Sequence, residues 1–286
     1  MNHAFLLSVV AFLAMTQTCL IAGHVAGDSQ VMPNGFSFRY CPTGRFKMGD
    51  NRPDEVGRGD HVPVEVEISK PFWMQECEVS MSQWTRLMKT EPWVGQRSVG
   101  GSDLCPVSWV SYDDAVSFCL ELTKSSPLMP DGAMVSYHLP TEAEWEYASR
   151  AGATSRYCFG DSDDKLADYA VFASIPTPPL SPSPCKSKLP NQWGIYDMHG
   201  NVGEWCRDGY QDSLLGGQDP IADLKLRVVF RGGSFSASPD YCRSTTRFYR
   251  VKTDKISTIG FRVVMREQGG GSGGTPVEAP QPEKAR

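Results

Sequence analysis

GIYDMHGNVGEW, residues 194–205, is the stretch on which the fold reading turns. It sets Asp197 and Glu204 seven positions apart, with glycine turns between them. Hard cations such as calcium take several oxygen ligands, including carbonyls that tight turns expose. The spacing is not that of a helix–loop–helix calcium loop. By spacing alone the plainer reading is a glycine-rich turn with its acids facing solvent.

Upstream, three helix starts carry capping boxes. Ser80 is followed by Gln83, Ser111 by Asp114 and Thr141 by Glu144. In each, the hydroxyl answers an orphan N–H and the residue three on answers back. Asp114 is shorter than the usual Glu, so the second box is expected to be the weakest. Trp84 and Trp145 on these helices read as core. VPVEVEISK, residues 62–70, alternates as a half-buried strand does. Downstream, RVVFRGGSF and IGFRVVM read as short strands. Between 176 and 190 the prolines are too dense for a helix or a central strand. That segment reads as a surface loop pinned by Cys185, or as a site rim.

The chain has 286 residues, 40% hydrophobic and 21% charged, with a formal net charge of -5. That is a globular mixture with room for a core. It offers no basic field for nucleic acid. Residues 1–26 read as a secretory signal peptide whose apolar run, from Ala4 to about Met15, is too short to span a bilayer. No stable membrane insertion is expected. Residues 27–267 read as one domain, and 268–286 as a flexible, Gly- and Pro-rich tail.

Removing the leader removes Cys19 and leaves eight cysteines. An even number in an exported chain points to disulfides, with Cys158 offered as a partner for Cys185. There is no CxxC, HxH, HxxxH or HExxH, and no phosphate-binding glycine loop. The stretch RGGSFSASPDYC, residues 231–242, ends in Cys242 with Arg243 beside it. Positive charge there favours thiolate, whereas an exported cysteine is as readily half of a disulfide, with Cys206 or another neighbour. Ser234 could position a ligand and Asp240 could act as a base.

These motifs together resemble one family. FWMQECEVSMSQW, PVSWVSYDDAVSFC, YHLPTEAEWEYASRAG, GIYDMHGNVGEW, FRGGSF and GFRVV occur in the order seen in the formylglycine-generating enzymes. The resemblance spans about residues 35–265. It implies a single α+β domain of C-type-lectin-like topology with little regular secondary structure. It also implies a structural calcium ion held by Asp197, the carbonyls of Gly200 and Val202, and Glu204. A second calcium site, near Asp168 and Tyr169, is not expected, because the proline-rich segment replaces its remaining ligands.

The family oxidises a substrate cysteine with O₂ at two copper-binding cysteines. One falls on Cys242 and the other on Ala237, and a methyl group cannot ligate copper. Ser238 stands where the family has histidine, and Gly203 where it has tryptophan. Copper is therefore not expected by the usual two-cysteine site. With these departures the chain resembles an exported, periplasmic branch of the family that matures siderophores, and that resemblance implies the activity and partners expected of it. The expected activity is oxidation of a small-molecule precursor, dihydropyoverdine, to pyoverdine, with O₂ as oxidant. Ser234, Asp240, Cys242 and Arg243 form the candidate catalytic group, in which a carboxylate or thiolate assists deprotonation and an arginine steadies a phenolate. Other periplasmic maturation proteins are expected partners. The alternatives are a non-catalytic binding or assembly protein of siderophore maturation, and oxidation of protein cysteine to formylglycine.

Overall fold

A computed structural model describes residues 24–50, 62–174, 176 and 178–268. The leader reading therefore lies, up to residue 23, outside the described residues, as does the tail from residue 269. The chain opens with β1 (Ser29–Val31), β2 (Ser37–Cys41), β3 (Gly44–Met48), β4 (Val64–Ile68) and β5 (Phe72–Gln75). Helices α1 (Met81–Met88) and α2 (Tyr112–Ser125) follow. Strand β6 (Val135–His138) leads to α3 (Glu142–Arg150) and the short α4 (Leu166–Tyr169). The remaining strands are β7 (Gly203–Gly209), β8 (Gly217–Gln218), β9 (Arg227–Arg231), β10 (Arg247–Val251), β11 (Ile259–Gly260) and β12 (Val264–Glu267).

Among the described residues these strands form three sheets, ordered β1-β2-β5-β12-β6, β10-β9-β7-β11 and β3-β4-β8. The fold is α+β, but the expectation of little regular secondary structure is overturned. Its strands are short and pair at long range: β12 sits between β5 and β6, with Val264 opposite both Met74 and His138. Such pairing leaves only brief apolar runs in the sequence, which is why the regularity is hard to see there.

The helix starts are local, and they form as read. Ser80 Oγ accepts from Gln83 N at 3.2 Å and Gln83 Oε1 accepts from Ser80 N at 3.0 Å. Thr141 and Glu144 close theirs at 3.1 and 2.7 Å. The box with the shorter acid also closes, Ser111 N donating to Asp114 Oδ2 at 2.9 Å. Loss of one such cap typically costs about 0.5–2 kcal/mol. Lys89 and Ala151, in the left-handed region at φ 57° and 45°, end α1 and α3.

Strand alternation divides the core. On β5, Trp73 points into a cluster with Trp84, Phe118 and Phe261, under α1 and α2. Its neighbours Phe72 and Met74 point the other way, toward Trp145 of α3 and Val229. On β12, Met265 and Val264 divide in the same manner. The apolar runs FWM and VVM are continuous because both faces of this sheet are covered.

Helix α3 is buried along its whole length and carries its acids with it. Glu142 pairs with Arg247 of β10 at 2.6 and 2.9 Å, Glu146 with Arg231 of β9, and Glu144 with Arg266 of β12. Buried carboxylates need such partners. The pairs tie one helix to three strands and hold the loop that begins at Arg231. The Arg231 guanidinium also donates to the carbonyls of Thr245 and Thr246, at 2.7 and 2.9 Å.

Candidate functional site

The turn preceding β7 is built on two left-handed residues, Asp197 at φ 60° and Asn201 at φ 62°. Between them, a Cβ on Gly200 would lie 2.3 Å from the Val171 carbonyl oxygen, so only glycine fits. Asp197 Oδ2 accepts from Lys186 N at 2.8 Å, while its buried Oδ1 has no hydrogen-bond partner. Both carboxylate oxygens of Glu78, just ahead of α1, are likewise buried and without partners. Burial pushes Glu78 well above the carboxylate range, with the charges of Asp197 and Glu204 adding to it. Burial also pushes Asp197 up, to about 6.

Glu204 is placed differently. Its two oxygens accept from Arg262 at 2.6 and 2.7 Å, and Oε2 also accepts from Trp145 Nε1 at 2.7 Å. Burial alone would lower the Arg262 guanidinium, and the Glu204 charge more than reverses this. Among the described residues, no three His, Cys, Asp or Glu side chains form a ready metal cluster. An ion at this turn would therefore draw on backbone carbonyls. The unpartnered oxygens that fit a cation belong to Asp197 and Glu78, while those of Glu204 are engaged. Val202 is fully buried, directly before β7.

The second half of the site is the loop from Arg231 to Cys242. Gly232 and Gly233 take φ 100° and 76°. A Cβ on Gly233 would sit 2.8 Å from Cys242 Sγ, so the glycine backbone covers the sulfur. Cys242 has no solvent exposure, and burial pushes its thiol up to about 12, against a smaller opposing effect of the Ser234 backbone. Beneath it, His199 is held as a neutral ring. Cys158 N donates to Nε2 at 3.1 Å, leaving Nδ1 to donate to the Cys242 carbonyl at 2.9 Å. Phe235 N donates to Asn201 O at 2.7 Å, joining this loop to the first turn.

Ser234, Asp240 and Cys242 of the candidate catalytic group lie on this loop, Arg243 follows it directly, and each is engaged locally. Ser234 is buried, with its Oγ 3.2 Å from Ser236 Oγ. Asp240 is ion-paired with Arg156 and lies 3.8 Å from Arg243 Nε. Arg243 is buried and donates to the Asp240 carbonyl at 2.9 Å. Ala237 is half-buried and knitted in by backbone bonds from Ala173 N to its carbonyl and from its N to Ser234 O, 2.9 and 3.0 Å. These residues do not fit copper: one ligand position is a methyl, and the other is a sealed thiol.

Where the family pattern has tryptophan at 203, the space is taken. A Cβ on Gly203 would lie 2.7 Å from Phe230 Cδ2. Phe230 stacks on Phe248 with centroids 5.1 Å apart and planes 16° apart, and Tyr241 lies 5.6 Å from Phe248. All three rings are half-buried, so they present an aromatic face beside the RGGS loop.

No two of the eight described cysteines are bonded to each other in this structure. The Cys185 sulfur meets Cys77, not Cys158. Cys206 and Cys242 fall in separate apolar clusters. Glu78, Arg262, Arg156 and Phe230 were not singled out by sequence reasoning. The one signal for Glu78 was its place in QECEVS, as the acid two residues ahead of the Ser80 capping box.

The fold and the RGGS and GNVGEW loops define a class of α+β proteins built like oxidising enzymes of sulfatase maturation. The model of that family, the sulfatase-modifying factor enzyme 1-like domain, matches residues 33–267, and this chain belongs to the family. A formylglycine-generating enzyme of Streptomyces coelicolor is 30% identical over 210 residues, 67% of this chain and 60% of that protein. The chain thus spans about three fifths of that relative. Treponema denticola variable protein 1 superposes with a TM-score of 0.70 and 25% identity over 83% of this chain and 98% of that one. PvdO from Pseudomonas aeruginosa superposes with a TM-score of 0.73 and 24% identity, covering 86% of this chain and 100% of that one, a likeness of fold. Among the described residues no helix is long and apolar enough to cross a membrane.

Proposed function

We propose that this chain is a ligand-binding or assembly member of the family, in which two-thiolate oxidation has been lost. The observation that carries this reading is the sealed Cys242 opposite Ala237. The half-buried face of Phe230, Tyr241 and Phe248 supports a planar aromatic ligand, since stacked rings recognise flat ligands by their faces. The catechol ring of a siderophore precursor has that chemistry. Delivery to the periplasm belongs to the proposal and rests on the apolar run from Ala4. So does a calcium ion on Asp197 and the carbonyls of Gly200 and Val202, supported by the unpartnered oxygens of Asp197 and Glu78. Calcium there would neutralise buried carboxylates.

Oxidation of cysteine to formylglycine is the second reading, and the likeness to the formylglycine-generating enzyme of Streptomyces coelicolor favours it. One experiment separates the readings. Metal-analysed protein is incubated, with and without air, with a cysteine peptide or a dihydropyoverdine-type catechol. Saturable catechol binding without turnover is expected. Aldehyde in the peptide would establish the second reading. Accelerated formation of the pyoverdine fluorophore would establish the siderophore oxidase instead.

A further inference from the structure

We propose that Cys77 and Cys185 close a disulfide that staples the proline-rich segment to the chain between β5 and α1. The Cys185 thiol lies against that of Cys77, and its Sγ is 3.7 Å from the carbonyl of the next residue, Glu78. Neighbouring contacts hold the same segments together. Cys185 N donates to Leu104 O at 3.0 Å, Lys186 N donates to Asp197 Oδ2 at 2.8 Å, and Lys186 Nζ pairs with Glu76. The two sulfurs are thus brought together by a backbone already fixed on both sides.

Access singles out this pair. Cys185 is half-buried and Cys77 is 9% exposed, whereas the other six described cysteines are at most 3% exposed. Thiol–disulfide exchange needs reach, and these two sulfurs offer the most. Residues 77 and 185 are far apart in sequence, the case in which a cross-link restricts the unfolded chain most.

The oxidant is a dithiol or thiol compound in its disulfide form. The thiolate of one cysteine attacks the S–S bond of that compound, forming a mixed disulfide and releasing one sulfur as thiolate. The second protein thiolate attacks the mixed disulfide, closing Cys77–Cys185 and expelling the other sulfur. One S–S bond breaks and one forms. The protein gives up two electrons and two protons, and the oxidant takes them up. The link would keep Lys186 N on Asp197 whenever the segment opens elsewhere.

Oxidised glutathione, with a metal chelator present, tests this on the folded full chain. The protein is then alkylated under denaturing conditions, digested without reduction and mapped by mass spectrometry. A cross-linked 77–185 peptide and the loss of two alkylatable thiols are expected. Full alkylation of both cysteines would overturn the proposal. So would a link from Cys185 to Cys105, whose Sγ lies 3.7 Å from Pro182 O in the same segment. Cys185→Ser should abolish the cross-link, and if that variant fails to fold, the map of the unaltered protein decides alone.

Discussion

Phe230 stands where a side chain on residue 203 would go: a Cβ on Gly203 would come within 2.7 Å of Phe230 Cδ2 and 3.2 Å of the Gly233 carbonyl. The family's tryptophan at this position is thus exchanged for a ring from β9, which joins Phe248 and Tyr241 instead. Gly203→Trp should therefore overpack the site and cost about 1–3 kcal/mol. Thermal unfolding measures this, and Gly203→Trp combined with Phe230→Ala should recover part of the loss. A single variant as stable as the parent would show that the ring moves aside freely.

Cys242 should be silent as a metal ligand and as a nucleophile. Copper(I) uptake under competition with a chelator is expected to be the same in the parent and in Cys242→Ser. A site lost with that substitution would contradict the sealed geometry. Without reagent reaching the sulfur, labelling of Cys242 in the native protein should follow global unfolding.

Arg262 neutralises Glu204 in the interior, where neither charge reaches water. Arg262→Met would leave the carboxylate buried and unpaired, costing about 3–5 kcal/mol. The melting temperature should drop by on the order of 10 °C. Adding Glu204→Gln should return much of it. Additive losses in the double variant would argue against the pair.

Calcium should raise the melting temperature of the parent protein, because binding to the native state alone stabilises it. Asp197→Asn should remove most of that rise, and Glu78→Gln should reduce it. Calorimetric titration checks the same point directly. An equal calcium response in all three proteins would place the ion elsewhere.

His138 gives a pH dependence whose sign can be worked out. Burial, followed by the charges of Arg207 and Arg266, holds its ring down at about 4. The unfolded ring titrates at about 6.5. Between these values the unfolded chain binds a proton that the native state refuses. This contribution to stability is therefore complete above about pH 6.5 and is lost as pH falls toward 4. His138→Gln should flatten the acid limb of a stability–pH profile measured by denaturant unfolding. An unchanged limb would assign it to other groups.

Much of the fold was legible where the cause is local. Ser80, Ser111 and Thr141 each announce a helix because cap and answering residue lie three positions apart. The strand at 64–68 shows its alternation. The abundance of paired strands was not legible, because β12 takes its place only when β5 and β6, far upstream, flank it. The RGGS loop and its missing thiol were visible in RGGSFSASPDYC. The commitment of Asp240 to Arg156 was not, since those residues are distant in sequence and met only on folding.

By itself the sequence determined the helix starts, the family motifs and the absence of a sulfur at Ala237, all properties of single positions or short spacings. Only the tertiary structure decided that Cys242 is closed over by Gly233, that Glu204 belongs to Arg262, and that buried Glu78 faces Asp197. Burial and charge pairing are set by which distant segments share an interior. That interior has a low dielectric, so those neighbours decide the state of each ionisable group.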